Sequence, residues 1–274
     1  MMGSLGEKNW NDTMLIDAHI HLDQYSDTEL DKCIPEWQAA RVGAVIAVSM
    51  NLASAHRTLE LKKRYPDFVY AAIGYHPEQP FPHPAEIEEI FSLIKQEKEK
   101  LCAIGEVGLP YYSPHAGAWA EAYGELLGQF AALAAETDLP LVLHAVHDKA
   151  EPALEIILAQ GVCKAHFHWL KAPDDVIDRI IRCGYYISLT PEVCYRKRDQ
   201  RLALRVPLSG LLLETDGPWP HSGPFTGKRT TPLFLRDSIA TVAALRGLAF
   251  AEVAASSTRA TQKLYGIPEA CSYM

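Results

Sequence analysis

Eight short apolar runs, separated by segments of helical character, constrain this chain more than any other feature of its sequence. Continuous runs of this length are typical of strands that are covered on both faces, as in parallel sheets. Eight β–α units in about 250 residues predict a single-domain (β/α)8 TIM barrel of the α/β class. A doubly wound open sheet is the alternative, but such a sheet usually stops at about five or six strands. The runs lie at Met14–Leu22, Val42–Met50, Phe68–Pro77, Leu101–Pro110, Leu139–Val146, Lys164–Leu170, Gly184–Thr190 and Gly210–Pro218.

The segments between the runs carry the signals of helix starts and ends. Pro173 is predicted at the first position of a helix, and Gly184 is expected to end that helix. Pro152 and Gly161 bound another helix in the same way. A further helix over Glu121–Thr137 has its large apolar residues on one stripe, as packing against a sheet requires.

The chain of 274 residues is expected to form one folded domain. We predict a polar leader over residues 1–13, the barrel over 14–268 and a short tail over 269–274. No Gly/Ser-rich linker divides the barrel, and the leader is either disordered or an expression remnant. It lacks the apolar segment of a signal peptide, and no apolar run reaches the roughly 18 residues that span a bilayer. These features predict a cytoplasmic protein with no membrane association.

The cysteine pattern and the net charge argue against a zinc–cysteine protein and against a protein with a broad nucleic-acid-binding surface. The six cysteines form no C-x-x-C pair and fall mostly in apolar segments, so we expect reduced, buried thiols and not a zinc–cysteine cluster. A net charge of −8 argues against a broad surface for non-specific nucleic-acid binding, which needs clustered Lys and Arg. A local basic or metal-centred pocket is compatible with that charge.

Two histidines, His19 and His21, stand at the end of the first apolar run. Because a strand directs residues i and i+2 to the same face, both imidazoles are expected to point the same way. Two neutral nitrogen ligands on a rigid element make up half of a site for a first-row metal. A pair of hydrogen-bonded histidines at a strand end is the alternative.

Polar residues end four further strands of the predicted barrel. In a TIM barrel the carboxyl ends of the strands converge on one rim, where the active site lies. Burying such groups costs several kcal/mol unless they are paired or bound to a metal. The set therefore predicts a metal site at this rim. Its residues are His19 and His21 of the first strand, Glu106 of the fourth, His144 of the fifth, His166 or His168 of the sixth and Asp216 of the eighth.

The number of these ligands suggests two metal ions. Glu106 has two oxygens and can bridge them, with His19, His21 and Asp216 around one ion, and His144 and one sixth-strand histidine around the other. Two ions about 3.5–4 Å apart can share a hydroxide and hold both oxygens of a phosphoryl displacement. The donor set favours zinc, manganese, cobalt or iron over magnesium, with zinc or manganese first. Asp216 can take the proton from the attacking water.

Together these residues resemble the TatD-type metal-dependent deoxyribonucleases of the amidohydrolase superfamily. The resemblance runs from about Met14 to Pro268. It implies a TIM barrel, a centre of one or two metal ions, and hydrolysis of phosphodiester bonds in DNA, often from the 3′ end. The motifs that carry it are Asp17-Ala-His19-Ile-His21-Leu22, Gly74-Tyr-His76-Pro77, Gly105-Glu106-Val-Gly-Leu109, Leu143-His144, His168-Trp169, Glu214-Thr-Asp216-Gly-Pro218 and Lys263-Leu-Tyr-Gly266.

The resemblance also assigns roles to single residues. For the sixth strand it favours His168 as the ligand, because His168 followed by Trp169 and then Gly184 reproduces the family spacing. His166 is then a deeper, hydrogen-bonded side chain. His76 matches a family residue near the substrate phosphate, and the alternative is a simple turn histidine. The positions that match the family's other metal ligands are His19, His21, Glu106, His144 and Asp216.

The chain departs from the family pattern at three places, none of which is a metal ligand. After the fourth-strand glutamate the family usually has Gly-Leu-Asp, whereas Leu109 is followed here by Pro110. After the fifth-strand histidine it commonly has Ser-Arg, where this chain has Ala145–His147. A frequent Asn near the C-terminus is Ala260 here. The first two changes remove a carboxylate and a cation from the rim, which weighs against a nucleic-acid substrate.

Two basic segments follow the seventh and eighth predicted strands. The first is Tyr195–Arg198 with Arg201 and Arg205, and the second is Lys228-Arg229. Each is either a binding surface for a phosphate backbone or a solvated charged segment. His147 either replaces the missing Arg or is a loop histidine that faces solvent.

Three functions are compatible with this set of residues. The first is a TatD-like DNase, a 3′-exonuclease on single-stranded DNA that acts through a metal-bound hydroxide, with Asp216 and Glu106 catalytic and His76 in contact with the substrate. The second is a hydrolase of a small ester, lactone or amide, since one fold hosts many chemistries. The third is a non-catalytic barrel subunit, and the intact ligand set argues against it. The oligomeric state is left open.

Overall fold

A computed structural model describes residues 13–114 and 117–268, so the predicted tail and almost all of the predicted leader lie outside the described residues. Within the described part, eight parallel strands form one sheet whose spatial order follows the chain. This arrangement, alternating with helices, confirms the predicted TIM barrel; the exact domain limits stay a prediction. The strands are β1 Leu15–Ile20, β2 Val42–Ala47, β3 Val69–Ile73, β4 Leu101–Gly108, β5 Leu141–His144, β6 Ala165–His168, β7 Tyr186–Leu189 and β8 Leu211–Leu213.

The described residues also form nine α-helices, of which the last two follow β8. The predicted first helical position of Pro173 is wrong by one residue. Its ψ of 151° is extended, so Pro173 precedes the helix as its N-cap. The helices are α1 Asp27–Ala39, α2 Leu52–Arg64, α3 Pro84–Glu97, α4 Ala120–Thr137, α5 Ala150–Ala159, α6 Asp174–Arg182, α7 Lys197–Arg205, α8 Leu235–Arg246 and α9 Phe250–Tyr265.

The strands alternate between two apolar layers. Leu141 and Leu143 of β5 join the large cluster that packs the sheet against helices, including Phe130 of α4. Val142, which lies between them, belongs to a second cluster together with Tyr265 at the end of α9. Because successive strand residues face opposite sides, this second cluster lies inside the barrel. Each such buried side chain contributes about 1.5–3 kcal/mol, which makes the strands a rigid support for the polar residues at their ends.

Several polar residues of interest lie just beyond the strands, because the apolar runs are longer than the strands themselves. β1 ends at Ile20, one residue before His21, and β8 ends at Leu213, so Asp216 lies in the following loop. The barrel is joined at this point by two backbone hydrogen bonds. The amide of Asp216 donates to the carbonyl of His19 at 3.0 Å, and that of His21 donates to Gly217 at 2.7 Å.

Five of the six cysteines lie in the described residues, and all five are free thiols. Cys102 on β4 is buried, as expected. The expected burial is wrong for Cys163 and Cys183, which are exposed because Cys163 lies in the loop between α5 and β6 and Cys183 directly follows the last residue of α6.

In the described part of the chain, no single helix is long and apolar enough to cross a membrane. By length and composition alone, the segments Pro232–Arg246 and Phe250–Tyr265 pass that test only as a pair, bent by 114°.

Candidate metal centre

The six predicted ligands converge at the carboxyl end of the barrel, and all of them are buried. Four lie on strands that the packed sheet holds in place, and two lie just beyond the ends of β1 and β8. Their positions are His19 on β1, His21 directly after β1, Glu106 within β4, His144 as the last residue of β5, His168 as the last residue of β6 and Asp216 three residues after β8.

Glu106 lies at the centre of this group, and its two oxygens face different histidines. Oε2 is 3.1 Å from Nε2 of His19 and 3.4 Å from Nε2 of His21. Oε1 is 3.0 Å from Nδ1 of His144 and 3.2 Å from Nε2 of His168. The carboxylate is therefore shared between two pairs of imidazoles, which is the arrangement that a bridging ligand requires.

Asp216 completes the first of these pairs. Its Oδ1 is 3.4 Å from Nε2 of His19 and 3.4 Å from Nε2 of His21. Ligand atoms bound tetrahedrally at about 2.1 Å lie about 3.4 Å apart, so these spacings fit one first-row cation. His19, His21 and Asp216 offer three ligand atoms to such an ion.

Several atoms of the centre are buried without a hydrogen-bond partner among the described residues. They include Nε2 of His19, Oε2 of Glu106 and Oδ1 of Asp216. A buried polar atom without a partner costs about 1–3 kcal/mol. Three such atoms directed at one another fit a cation, which would compensate all of them together.

Two further carboxylates fix the ring orientation of the histidines on the Oε1 side. Nε2 of His144 is 3.1 Å from Oε1 of Glu78, and Nδ1 of His168 is 3.1 Å from Oε1 of Glu214. When one ring nitrogen donates to a carboxylate, the other nitrogen is the one that can lose its proton and bind a metal. His144 thus presents Nδ1 to the centre, whereas His168 presents Nε2.

Neither Glu78 nor Glu214 was predicted to take part. Glu214 lies in one of the family motifs, directly after the last residue of β8, and a carboxylate inside an apolar run was the available signal. Glu78 follows Pro77 in a loop, and nothing in the local sequence marks it.

His76 lies among the candidate ligands, with Nε2 3.2 Å from Oε1 of Glu106. Its Nδ1 accepts a hydrogen bond from the backbone N–H of Glu78 at 3.1 Å. In the neutral ring Nε2 then carries the proton, which suits a hydrogen-bond donor better than a metal ligand. This geometry is compatible with the predicted contact to substrate.

The two sixth-strand candidates occupy different environments. Nδ1 of His166 is 2.7 Å from the hydroxyl of Tyr265, inside the barrel, and its Nε2 has no hydrogen-bond partner within the described residues. Burial holds the pKa of His166 well below its ordinary value, so the ring is neutral. Burial also acts to lower the pKa of His168, but Glu106 and Glu214 raise it well above the usual value. His168, and not His166, lies against Glu106.

The charge of Glu106 follows from the same surroundings. Burial acts to raise the pKa of its carboxyl group, but the neighbouring His76, His168 and His19 hold the pKa well below the ordinary value. The group is therefore an ionised carboxylate at neutral pH and a strong attraction for a cation.

Most of the basic side chains proposed to attract phosphate are paired with carboxylates. Arg198 contacts Glu192 and Asp199 at 2.5 Å and 2.8 Å. Arg205 pairs with two acidic residues of α6, and Nη2 of Arg229 is 3.2 Å from Glu29. These arginines fit the alternative of a solvated charged segment.

His147 is a partly buried loop histidine. Its ring stacks on Tyr111 with 4.5 Å between the centroids, and burial lowers its pKa, so it does not supply the missing charge.

A cavity of about 430 Å³ opens onto the centre. Candidate ligands and aromatic rings share its lining, so a substrate in the cavity would touch both. The lining includes His21, His144, His168 and Asp216, together with Met50, Tyr112, Trp169 and Trp219.

A family model described as TatD related DNase matches residues 16–266. The chain belongs to this family. An uncharacterized metal-dependent hydrolase of Haemophilus influenzae is 39% identical to it over 212 residues, which cover 77% of this chain and 83% of the relative. A relative from Erwinia tasmaniensis, called 3'-5' ssDNA/RNA exonuclease TatD, is 28% identical over 251 residues, covering 86% and 93%.

The crystal structure of YJJV, a TatD homologue from Escherichia coli, superimposes on this TatD-family protein with a TM-score of 0.83. The two chains are 25% identical, and the match covers 93% of this chain and 98% of the other. Family membership confirms the resemblance found in the sequence, and with it the class of metal-dependent hydrolases.

Proposed function

We propose that this TatD-family protein hydrolyses phosphodiester bonds of single-stranded DNA as a 3′-exonuclease that uses one or two divalent metal ions. One observation carries the proposal: Glu106 faces His19 and His21 with one oxygen and two further histidines with the other. A shared carboxylate of this kind suits a paired-ion site for an in-line phosphoryl displacement. The activity named for the Erwinia relative supports the choice of substrate and polarity.

The donor atoms support zinc or manganese as the ion, with cobalt, iron and magnesium as alternatives. Imidazole nitrogens predominate over carboxylate oxygens, and magnesium prefers an all-oxygen shell. When bound, such ions polarise a phosphoryl oxygen and lower the pKa of water.

The protein side chains then orient the reactants and move the proton. Asp216 accepts the proton of the attacking water. Burial acts to raise the pKa of Asp216, but the larger opposing effect of His21 and the other nearby histidines brings the pKa below its ordinary value. The carboxylate is therefore ionised at neutral pH and can act as a base. His76 donates from Nε2 to a phosphate oxygen, and Glu106 stays ionised and holds the two histidine pairs together.

The test combines metal analysis with a nuclease assay. We expect one to two transition-metal ions for each chain, and a 5′-labelled single-stranded DNA to shorten progressively unless a chelator is present. Asp216→Asn should lower kcat about 10²–10⁴-fold. Asp148→Asn, which changes an exposed aspartate paired with Lys149, is the matched control and should leave kcat unchanged. Intact DNA together with metal-dependent turnover of a generic ester would overturn the nuclease proposal.

A hydrolase of a small ester, lactone or amide is the second candidate, and the cavity supports it. A volume of about 430 Å³ lies in the range of small-molecule pockets. The rim also lacks the cation expected after the fifth-strand histidine. Turnover of the generic ester, measured alongside cleavage of DNA, decides between the two candidates.

The proposed location is the cytoplasm. Support comes from the free thiols among the described cysteines, which suit a reducing compartment. Fractionation of cells that express the full chain tests it, and recovery of the protein outside the cytoplasmic fraction would contradict it.

A further inference from the structure

Lys171 is a buried cation at the edge of the cavity. It is 9% exposed, and its Nζ donates a hydrogen bond to the hydroxyl of Tyr112 at 2.8 Å. Nζ also lies 4.1 Å from the ring centroid of Trp169. Among the described residues, no carboxylate is paired with this ammonium group.

This environment separates Lys171 from the other cations near the site. Arg198, Arg205 and Arg229 are each paired with acidic side chains. Lys171 instead shares the lining of the cavity with His144, His168 and Asp216. A buried charge is costly unless an opposite charge compensates it, so an anion that enters the cavity gains from this position.

Two aromatic side chains extend from the same cavity toward solvent. Tyr112 is 54% exposed and Trp219 is 43% exposed, although both line the cavity. The segment that carries Tyr112 is held in place, because the carboxylate of Glu78 accepts hydrogen bonds from the backbone N–H groups of Tyr112 at 2.9 Å and Ser113 at 2.6 Å. Exposed rings beside a cation are typical of surfaces that bind single-stranded nucleic acid, where bases stack and the cation contacts the backbone.

We propose that Lys171 holds a backbone phosphate of the single-stranded substrate beside the metal centre, and that Tyr112 and Trp219 stack against its bases. The inference rests on the proposed phosphodiester hydrolysis and specifies how the substrate is held. Lys171 thereby supplies, from the loop after β6, the cation that the family commonly places after the fifth-strand histidine.

The test measures binding of a 5′-labelled octathymidylate by fluorescence anisotropy at several salt concentrations, with the metal-loaded protein. All linkages are phosphorothioates, which keep the charge and slow cleavage, and a gel confirms that the strand stays intact. We expect Lys171→Met to weaken binding about tenfold and to reduce the slope of log K against log salt by about 0.7, the change for one phosphate contact on a single strand. Trp219→Ala should weaken binding about tenfold with an unchanged slope.

Lys164→Met is the matched control. Lys164 precedes the opposite end of β6 and pairs with Asp138 at 2.9 Å, so the variant removes the same charge away from the cavity. It should bind DNA like the wild type. If Lys171→Met lowers the melting temperature, Lys171→Gln is used in its place, because Gln retains a hydrogen-bond donor for Tyr112 without the charge. The same loss of affinity and of salt dependence is expected for it.

The outcomes separate the inference from the function on which it rests. Wild-type affinity and slope in the Lys171 variants, while the wild type still cleaves DNA, would overturn the role of Lys171 alone. A wild type that neither binds nor cleaves single-stranded DNA would remove the proposed function as well.

Discussion

Glu78 and His144 are joined by a hydrogen bond of 3.1 Å between Oε1 and Nε2. The same carboxylate accepts hydrogen bonds from the backbone N–H groups of Tyr111 at 2.7 Å and Ser113 at 2.6 Å. Burial acts to raise the pKa of Glu78, but these hydrogen bonds bring it to about 2, so the group is ionised at neutral pH. One side chain thus sets both the orientation of a candidate ligand and the position of the loop that borders the cavity.

Replacing this carboxylate tests its orienting role. Glu78→Gln should weaken the binding of Zn²⁺ or Mn²⁺ about 10–100-fold, because an amide no longer fixes the ring of His144 with a charged acceptor. Competition with a chromophoric chelator measures the affinity. Glu136→Gln, an exposed glutamate paired with Lys95, is the control that should bind metal normally. Equal affinities in all three proteins would contradict the role.

The two sixth-strand histidines should respond differently to the same substitution. His168→Asn is expected to lower the number of bound ions, because this ring faces Glu106. His166→Asn should keep the metal content but lose about 1–3 kcal/mol of stability, since the buried hydroxyl of Tyr265 loses its partner. Elemental analysis and thermal melts give the two quantities. Loss of metal in the His166 variant alone would reverse the assignment.

Metal removal should destabilise the barrel as a whole. A ligand that binds only the folded state at a thousand times its Kd adds about 4 kcal/mol to the free energy of unfolding. For a protein of this size the melting temperature should then fall by about 10 °C in chelator. Glu106→Gln, which removes the central charge, should show a much smaller difference between the two conditions. If the melting temperature of the wild type were the same with and without chelator, the metal centre would be contradicted.

A glycine beside the centre should resist substitution. A Cβ at Gly108 would lie 2.0 Å from the carbonyl oxygen of His144, and the φ of +153° is unfavourable for other residues. Gly108→Ala should therefore cost about 1–3 kcal/mol and displace His144, weakening metal binding. Gly124→Ala is the control: apart from the local backbone of α4, nothing in the described residues lies closer than 3.8 Å to its Cβ, and this position in α4 should gain about 0.5–1 kcal/mol. Denaturant titration compares the two.

The fold and the six-residue cluster could be predicted because both depend on local patterns. Apolar runs identify buried parallel strands, and a polar residue at the end of such a run, as at His144 or Glu106, must lie at the barrel rim. The barrel topology brings these strand ends together, so the cluster can be predicted without knowing any side-chain contact. Errors stayed small, as at Pro173, where the extended backbone moved a helix start by one residue.

The remaining features depend on contacts between distant segments, which local patterns do not contain. Glu78 is defined by its contact with His144, 66 residues away, and Lys171 by its contact with Tyr112, 59 residues away. The pairing of Arg198 with Glu192 likewise compensates a charge that the sequence leaves unpaired. Charge compensation and ring orientation of this kind emerge only when the loops are placed around the barrel.

The junction of β1 with the loop after β8 has a consequence for synthesis of the chain. His19 and Asp216 are linked through their backbones, although almost two hundred residues separate them. A nascent polypeptide released before Asp216 would therefore lack both hydrogen bonds of this junction and one of the six candidate ligands, however well its earlier units had folded. The proposed centre therefore depends on the loop after β8, which is synthesised after all eight strands.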